Sequence, residues 1–330
     1  MEPAVDSLLL PHADSGFFSP ESISSPDAMS PEALSPLPTM PDIMTALPSS
    51  VVTRIFSRLK HVQLEAEKIA ETLEKDKEEN GNQFLVLLKI SPRISERLFE
   101  DHDCLKGVNY RFEFEGGTGI LRVIPGYRHE YTTRGLLQKV NLQLDSMGLN
   151  ELYRWGGATR YKSPLRNKEG DQVFCPSARW PSSTSLQWPT VVVETGVSES
   201  LPRLLQDARW WFGASDGEVR IVIIISIKKT AVHFEQWQLA PPNAPRPLTR
   251  AYIDSLRRNP SNVPPLLQQP SNMQQPYSCA EVDVTKTTVD GAPMTIPYCA
   301  LFDVPVRPPN MQDVVLDAQD FRFITAVNFS

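Results

Sequence analysis

The run from Trp188 to Phe212, WPTVVVETGVSESLPRLLQDARWWF, limits the possible folds more than any other stretch of the chain. It opens with three β-branched residues in a row, Val191 to Val193, the pattern of a strand covered on both faces rather than half in water. Glu194 follows at once. A carboxylate at the end of such a strand loses much of its hydration, so it requires a partner, a proton or a cation. Gly196 and Ser198 let the chain turn, and Ser200 can cap an element that has Pro202 in its first turn. Leu201, Leu204, Leu205, Ala208, Trp211 and Phe212 then recur at helical spacing. The stretch reads as strand, acid, tight turn and amphipathic helix.

Thirty prolines among 330 residues are unevenly spread, so one core with appendages is expected rather than a row of equal domains. A net charge of -6 excludes a general nucleic-acid or membrane binder working through bulk electrostatics and leaves room only for a local patch. Cys104, Cys175, Cys279 and Cys299 lie far apart, with no CxxC and no histidine at ligand spacing. That argues against a structural zinc site and for free thiols in a reducing compartment. The short apolar tract Leu8 to Leu10 has no basic flank, and no run approaches the ~18 apolar residues of a membrane span. An intracellular protein of nucleus or cytoplasm, neither secreted nor membrane-bound, is expected.

Residues 1–50 are rich in Pro and Ser, with Ser19-Pro20, Ser25-Pro26, Ser30-Pro31 and Ser35-Pro36 as repeated dipeptides, and read as a disordered tail. In residues 51–80, Val52, Ile55, Leu59, Val62, Ala66, Ile69 and Leu73 follow a three-four spacing. One amphipathic helix results, whose narrow seam suits either a coiled-coil homodimer or packing onto the chain's own core. Tyr110 to Phe114 and Gly119 to Ile124 read as a hairpin, followed by a helix that starts near His129 and Glu130 and runs to Met147. Glu130 is open between a simple first-turn acid and a functional group. Leu152 to Lys162, Asp171 to Cys175 and Thr190 to Thr195 are strand-like; after the helix, Val219 to Ile227 is a central strand and Val232 to Leu239 an edge strand. The core thus spans 84–240, residues 241–276 form a Pro-rich linker or loop, and 277–330 a C-terminal β extension with a short helix or turn near Asp317 to Phe321.

In order, the middle of the chain is helix, strand, strand with Asp171, strand with Glu194, helix, strand. This α/β (α+β, mixed-sheet) arrangement resembles the αβββαβ core of the PD-(D/E)xK, or restriction-endonuclease-like, superfamily, in its uncharacterised fungal-type branch. The resemblance covers Tyr110 to Leu239, about 40% of the chain. It rests on the hairpin before the helix, the His129-Glu130 start, the Gly170-Asp171 strand, the Val-Val-Val-Glu194 strand and the helix with Asp207, Trp210 and Trp211. It implies a nuclease that hydrolyses DNA or RNA through Mg²⁺ (or Mn²⁺) held by Asp171, Glu194 and the carbonyl of Thr195, since two converging carboxylates repel unless a cation sits between them.

The family motif places a lysine two residues after the glutamate, and here that position is Gly196. Arg203, Gln206, Lys162 and Lys228 are the candidates to replace it, Arg203 also being able to pair with Asp207 at the surface. Arg154, Arg160, Lys162, Arg166 and Lys168, with Trp155 and Tyr161 among them, are the local patch for a nucleic-acid partner, unless they form an ordinary solvated face. The missing lysine and the acidic net charge keep a second function open, a catalytically degenerate nuclease fold used as a nucleic-acid or protein binding module. In a third reading both acids merely cap strands or pair with arginines, so that Mg²⁺ changes nothing.

Overall fold

The β-branched runs and the helical periodicities sort the chain into layers, and the computed structural model describes residues 42–75, 82–124, 126–180, 186–197, 201–260 and 269–329. β1 (Val52–Ile55), α1 (Leu59–Lys75), β2 (Phe84–Leu88) and α2 (Pro92–Glu100) lead to the hairpin β3 (Tyr110–Glu115) and β4 (Thr118–Val123), then to α3 (Gly126–Ser146). β5 (Tyr153–Gly156), β6 (Arg160–Lys162), β7 (Arg166–Glu169), β8 (Gln172–Pro176) and β9 (Val191–Val197) precede α4 (Leu201–Ala214), β10 (Ile221–Ile227), β11 (Ala231–Leu239) and α5 (Arg250–Arg257). The chain then gives β12 (Pro276–Thr285), β13 (Val289–Asp290), β14 (Met294–Ile296), α6 (Tyr298–Phe302), β15 (Val314–Leu316) and α7 (Ala318–Thr325).

A seven-stranded sheet runs β13-β12-β11-β10-β9-β8-β5, and a six-stranded one β1-β2-β4-β3-β7-β6. β9 and β10 are parallel and joined through α4, while β5, β8 and β9 are antiparallel neighbours. Alternation in β9 decides which side chain meets which helix. Val191, Val193 and Val197 share a core with Leu136, Leu137, Val140 and Leu144 of α3. Val192 instead meets Leu204, Ala208 and Trp211 of α4, together with Val222 and Ile224. The sheet is therefore covered on both faces, as its continuous apolar strands require. Residues of both sheets, such as Leu121 and Val193, belong to one continuous apolar cluster.

Several sequence readings change in the structure. Residues 51–80 do not form one helix: Val52–Ile55 is a strand parallel to β2, and the helix begins at Leu59. Its seam, Val62, Ala66, Ile69 and Leu73, is buried in the chain's own core, so an apolar stripe that suits a second copy is consumed internally. Leu152 to Lys162 is two strands in different sheets. Val232 to Leu239 is no edge, because β12 pairs along its whole length and brings the C-terminal extension into the main sheet. The Pro-rich 241–276 stretch contains a helix capped by Thr249. Residues 42–50, read as tail, include Ile43, which packs on Phe84, Val86 and Ile120; the tail up to residue 41 and the charged run 76–81 lie outside the described residues. Among the described residues no helix is long and apolar enough to cross a membrane. All four cysteines are free thiols.

The β11–β12 seam carries a titratable clasp. His233 on β11 reaches Asp283 of β12 with Nδ1 and Glu235 with Nε2, both at 2.8 Å. The hydrogen bond to Glu235, with Asp283 adding to it against the effect of burial, raises the imidazole to about 9. A raised value means that the stabilisation is complete below the unfolded value near 6.5 and disappears as pH rises through about 9. The difference in melting temperature between the native protein and His233→Asn is therefore expected to narrow steadily from pH 6.5 to 9; a constant difference would rule out the charged clasp.

Candidate functional site

Asp171 immediately precedes β8, and the register that pairs Gln172 with Val193 carries Asp171 opposite Glu194. Gly170 beside it lets the Trp211 ring come close, since a Cβ there would stand 3.2 Å from that ring. Both acids are buried, at 1% and 0% exposure. The space between them is taken by Arg122 of β4. Its Nη2 donates to Glu194 Oε2 at 3.0 Å and lies 2.9 Å from Asp171 Oδ1. Its Nη1 donates to the carbonyl of Thr195 at 3.3 Å.

The rest of the shell is just as closely paired. Asp171 Oδ2 accepts from the Thr195 amide at 2.8 Å, and His129 Nε2 stands 3.4 Å from that oxygen and 3.1 Å from the Thr195 carbonyl. Glu194 Oε1 accepts from the indole of Trp211 at 2.7 Å and has Lys168 Nζ at 3.7 Å. Lys168 is held 3.0 Å from Asp207, which also faces Arg203 Nε at 3.3 Å; Arg203 in turn bonds Glu113. The six-stranded sheet explains why these cations converge. Arg111 lies opposite Arg122, and Glu113 opposite Lys168, so all four point to one face. Two arginines side by side repel. Asp171 relieves this, because Arg111 Nε comes within 3.4 Å of the same carboxylate.

Burial and charge act in opposite directions on these groups. Burial pushes Asp171 up, but Arg122 and then His129 outweigh it and hold the carboxyl well below the usual carboxylate range. For Glu194 burial prevails over Lys168 and Arg122, and its affinity for a proton rises. Burial works against the charge on Arg122, yet Asp171 and Glu194 raise its basicity further. The guanidinium stays charged. A divalent cation does not fit between Asp171 and Glu194 while that group bridges them, and among the described residues no group of three or more His, Cys, Asp or Glu side chains is placed to hold a metal.

The strand order, the flanking helices and the position of the acids at the β8–β9 pair are now together. They follow the order of elements that the resemblance to a restriction-endonuclease-like core implies. No protein-family model and no curated protein matches the sequence. Among solved structures, the chain is similar to a candidate nuclease of the DUF820 group from Anabaena variabilis, with 14% identity and a TM-score of 0.31, over 44% of this chain and 84% of that one. It is also similar to the type IIG restriction endonuclease BpuSI, with 16% identity and a TM-score of 0.22, over 35% of this chain and 12% of that one.

The other residues singled out from the sequence scatter. Glu130 is on α3, 3.0 Å from the exposed Arg134. Arg203 belongs to the buried network but bonds Glu113 and the Thr45 carbonyl, and its Asp207 partner is interior rather than at the surface. Lys162 is exposed on β6. Of the expected basic patch, Arg160 is bonded to Glu96 through both terminal nitrogens, Arg166 to Glu115, and Lys168 to Asp207, while Arg154 lies 4.3 Å over the Trp180 ring. Three of the five are thus engaged by acids, while Arg154 and Lys162 are exposed. Lys168, read as part of that surface, is the ammonium nearest Glu194. Trp210 and Trp211 are both fully buried.

From the sequence neither Arg111 nor Arg122 is singled out, and Trp211 reads as packing alone. Arg122 sits in GILRVI, flanked by the buried Ile120, Leu121, Val123 and Ile124, and a lone arginine in such a run is a signal of a buried charge with a partner. Trp211 holds Glu194 through its N–H, a role that an apolar reading of the helix hides.

Removing Lys168 leaves Asp207 and Glu194 short of a cation in dry surroundings. Lys168→Met is expected to lower stability by ~3–5 kcal/mol, read from urea unfolding, because breaking a buried pair strands the remaining charge. The exposed Lys162→Met should change it by less than ~0.5 kcal/mol. Equal effects of the two would show that Lys168 is not paired.

Proposed function

We propose that this chain is a nuclease fold that binds nucleic acid without cutting it. The observation that carries the reading is the position of Arg111. Its guanidinium contacts Asp171 at 3.4 Å and also lines a cleft of about 970 Å³ beside the first turns of α3. A strand of nucleic acid lying in that cleft would meet Arg111 ahead of Asp171, which is only 1% exposed, and the carboxylate in the lining is Glu130, outside the Asp171–Glu194 pair. In-line attack on a phosphodiester requires a reacting site that the phosphate can enter.

The cleft has what an unstacked base and its phosphate require. Tyr127 and Tyr131 are 56% and 65% exposed, with rings edge to face at 6.1 Å, and Phe323 is 49% exposed on the opposite helix. Arg134 adds a second guanidinium, which Glu130 of the same lining holds at 3.0 Å. Flat exposed rings next to cations suit single strands, whose bases are free to stack. Hydrolysis by Mg²⁺ on Asp171, Glu194 and Thr195, with Glu130, Arg203 or Lys162 assisting, is the reading this one replaces. Lys162 is exposed on β6 and Arg203 is bonded elsewhere.

Fluorescence anisotropy with labelled single- and double-stranded DNA and RNA tests the proposal. Binding is expected to favour single strands and to weaken by roughly 5- to 100-fold in Tyr127→Ala/Tyr131→Ala, the loss of about 1–3 kcal/mol from stacking. No product should form with Mg²⁺ or Mn²⁺. Cleavage that disappears in Glu194→Gln would overturn the reading.

A further inference from the structure

We infer that Arg122 is a resident cation, which holds Asp171 and Glu194 together in place of a divalent metal ion, and that the same oxygens accept such an ion once the guanidinium is removed. The inference rests on the reading of a nuclease fold that does not cut.

Three oxygens converge on one side chain. Asp171 Oδ1 and Glu194 Oε2 lie 2.9 and 3.0 Å from a single nitrogen, and the Thr195 carbonyl lies 3.3 Å from the other terminal nitrogen. Two carboxylates and a carbonyl are hard oxygen donors, the kind that Mg²⁺ and Mn²⁺ take. Two buried acids this close cannot both stay ionised without positive charge between them. A guanidinium supplies one charge and directed N–H donors; a divalent ion supplies two charges. Lys168, 3.7 Å from Glu194, and Arg111, 3.4 Å from Asp171, make up the difference from the sides. The arginine also arrives by a route that excludes exchange: β4 is the inner partner of both β2 and β3, and the Arg122 side chain is 7% exposed. Unlike a bound ion, it cannot leave.

The full-length protein, Arg122→Met and Arg122→Lys are compared by thermal unfolding in EDTA, Mg²⁺ and Mn²⁺. Methionine fills the stem without charge; lysine keeps the charge with a shorter, undirected head. Arg122→Met is expected to melt well below the other two in EDTA and to regain roughly 5–10 °C at saturating Mn²⁺, as one bound ion would produce. Adding Glu194→Gln should abolish the recovery. If Arg122→Met does not fold in EDTA, the yield of refolding against Mn²⁺ gives the same answer: recovery supports the inference, and none overturns it. No response in Arg122→Met, or a response that survives Glu194→Gln, also overturns it. A Mn²⁺ response in the unaltered protein would bring down both this inference and the non-cutting reading, whereas failure in Arg122→Met alone leaves that reading standing.

Discussion

The contact of Arg122 with Asp171 and Glu194, flanked by Arg111 and Lys168, joins two sheets that also meet through apolar packing. One strand of the six-stranded sheet delivers the cation, and the β8–β9 pair of the seven-stranded sheet delivers the anions. Apolar packing is tolerant of small slides, because methyl groups are interchangeable to first order. A buried ion pair is not, since a shift of an ångström or two leaves charges uncompensated in a medium that cannot solvate them. The pairing therefore sets how the sheets are seated on one another. Lys168, Asp207, Arg203 and Glu113 extend the same constraint to α4, so the helix that follows the Glu194 strand is fixed by charge as well as by Leu204 and Trp211.

Such a network contributes less to net stability than its contacts suggest, because every member was desolvated to enter it. Its effect lies in discrimination among packings. The apolar face of α4 could rotate by some degrees and still bury its leucines, but Trp211 could not then donate to Glu194, nor Asp207 receive Lys168.

Much of the central architecture was legible because it is written in local pattern. Three valines before an acid and a helical periodicity specify a covered strand and its crossover helix, and β9 and α4 follow, although Gly196, read as a turn, lies inside β9 opposite Ser226. What pattern does not carry is the identity of partners distant along the chain. Arg122 and Glu194 are 72 residues apart. Nothing in either neighbourhood encodes their meeting. In the basic stretch from Arg154 to Lys168, the acids that neutralise Arg160, Arg166 and Lys168, namely Glu96, Glu115 and Asp207, come from α2, β3 and α4, which the local sequence does not reveal. The seam of α1 has the opposite ambiguity, since a stripe of that width fits a second helix or the chain's own sheet equally well, and only the tertiary packing chooses.

The long pairing of β11 with β12 has a bearing on solubility. Without the final segment, Ala231–Leu239 would present a row of unpaired amide and carbonyl groups along the flank of a sheet rich in valine and isoleucine. Exposed flanks of this kind recruit strands from other molecules and seed fibrous assemblies. The C-terminal segment thus acts as a selvedge for β11, with its own outer strand, β12, hemmed by β13 at Asp283 and Val284 and by Arg257 at the Ser278 carbonyl.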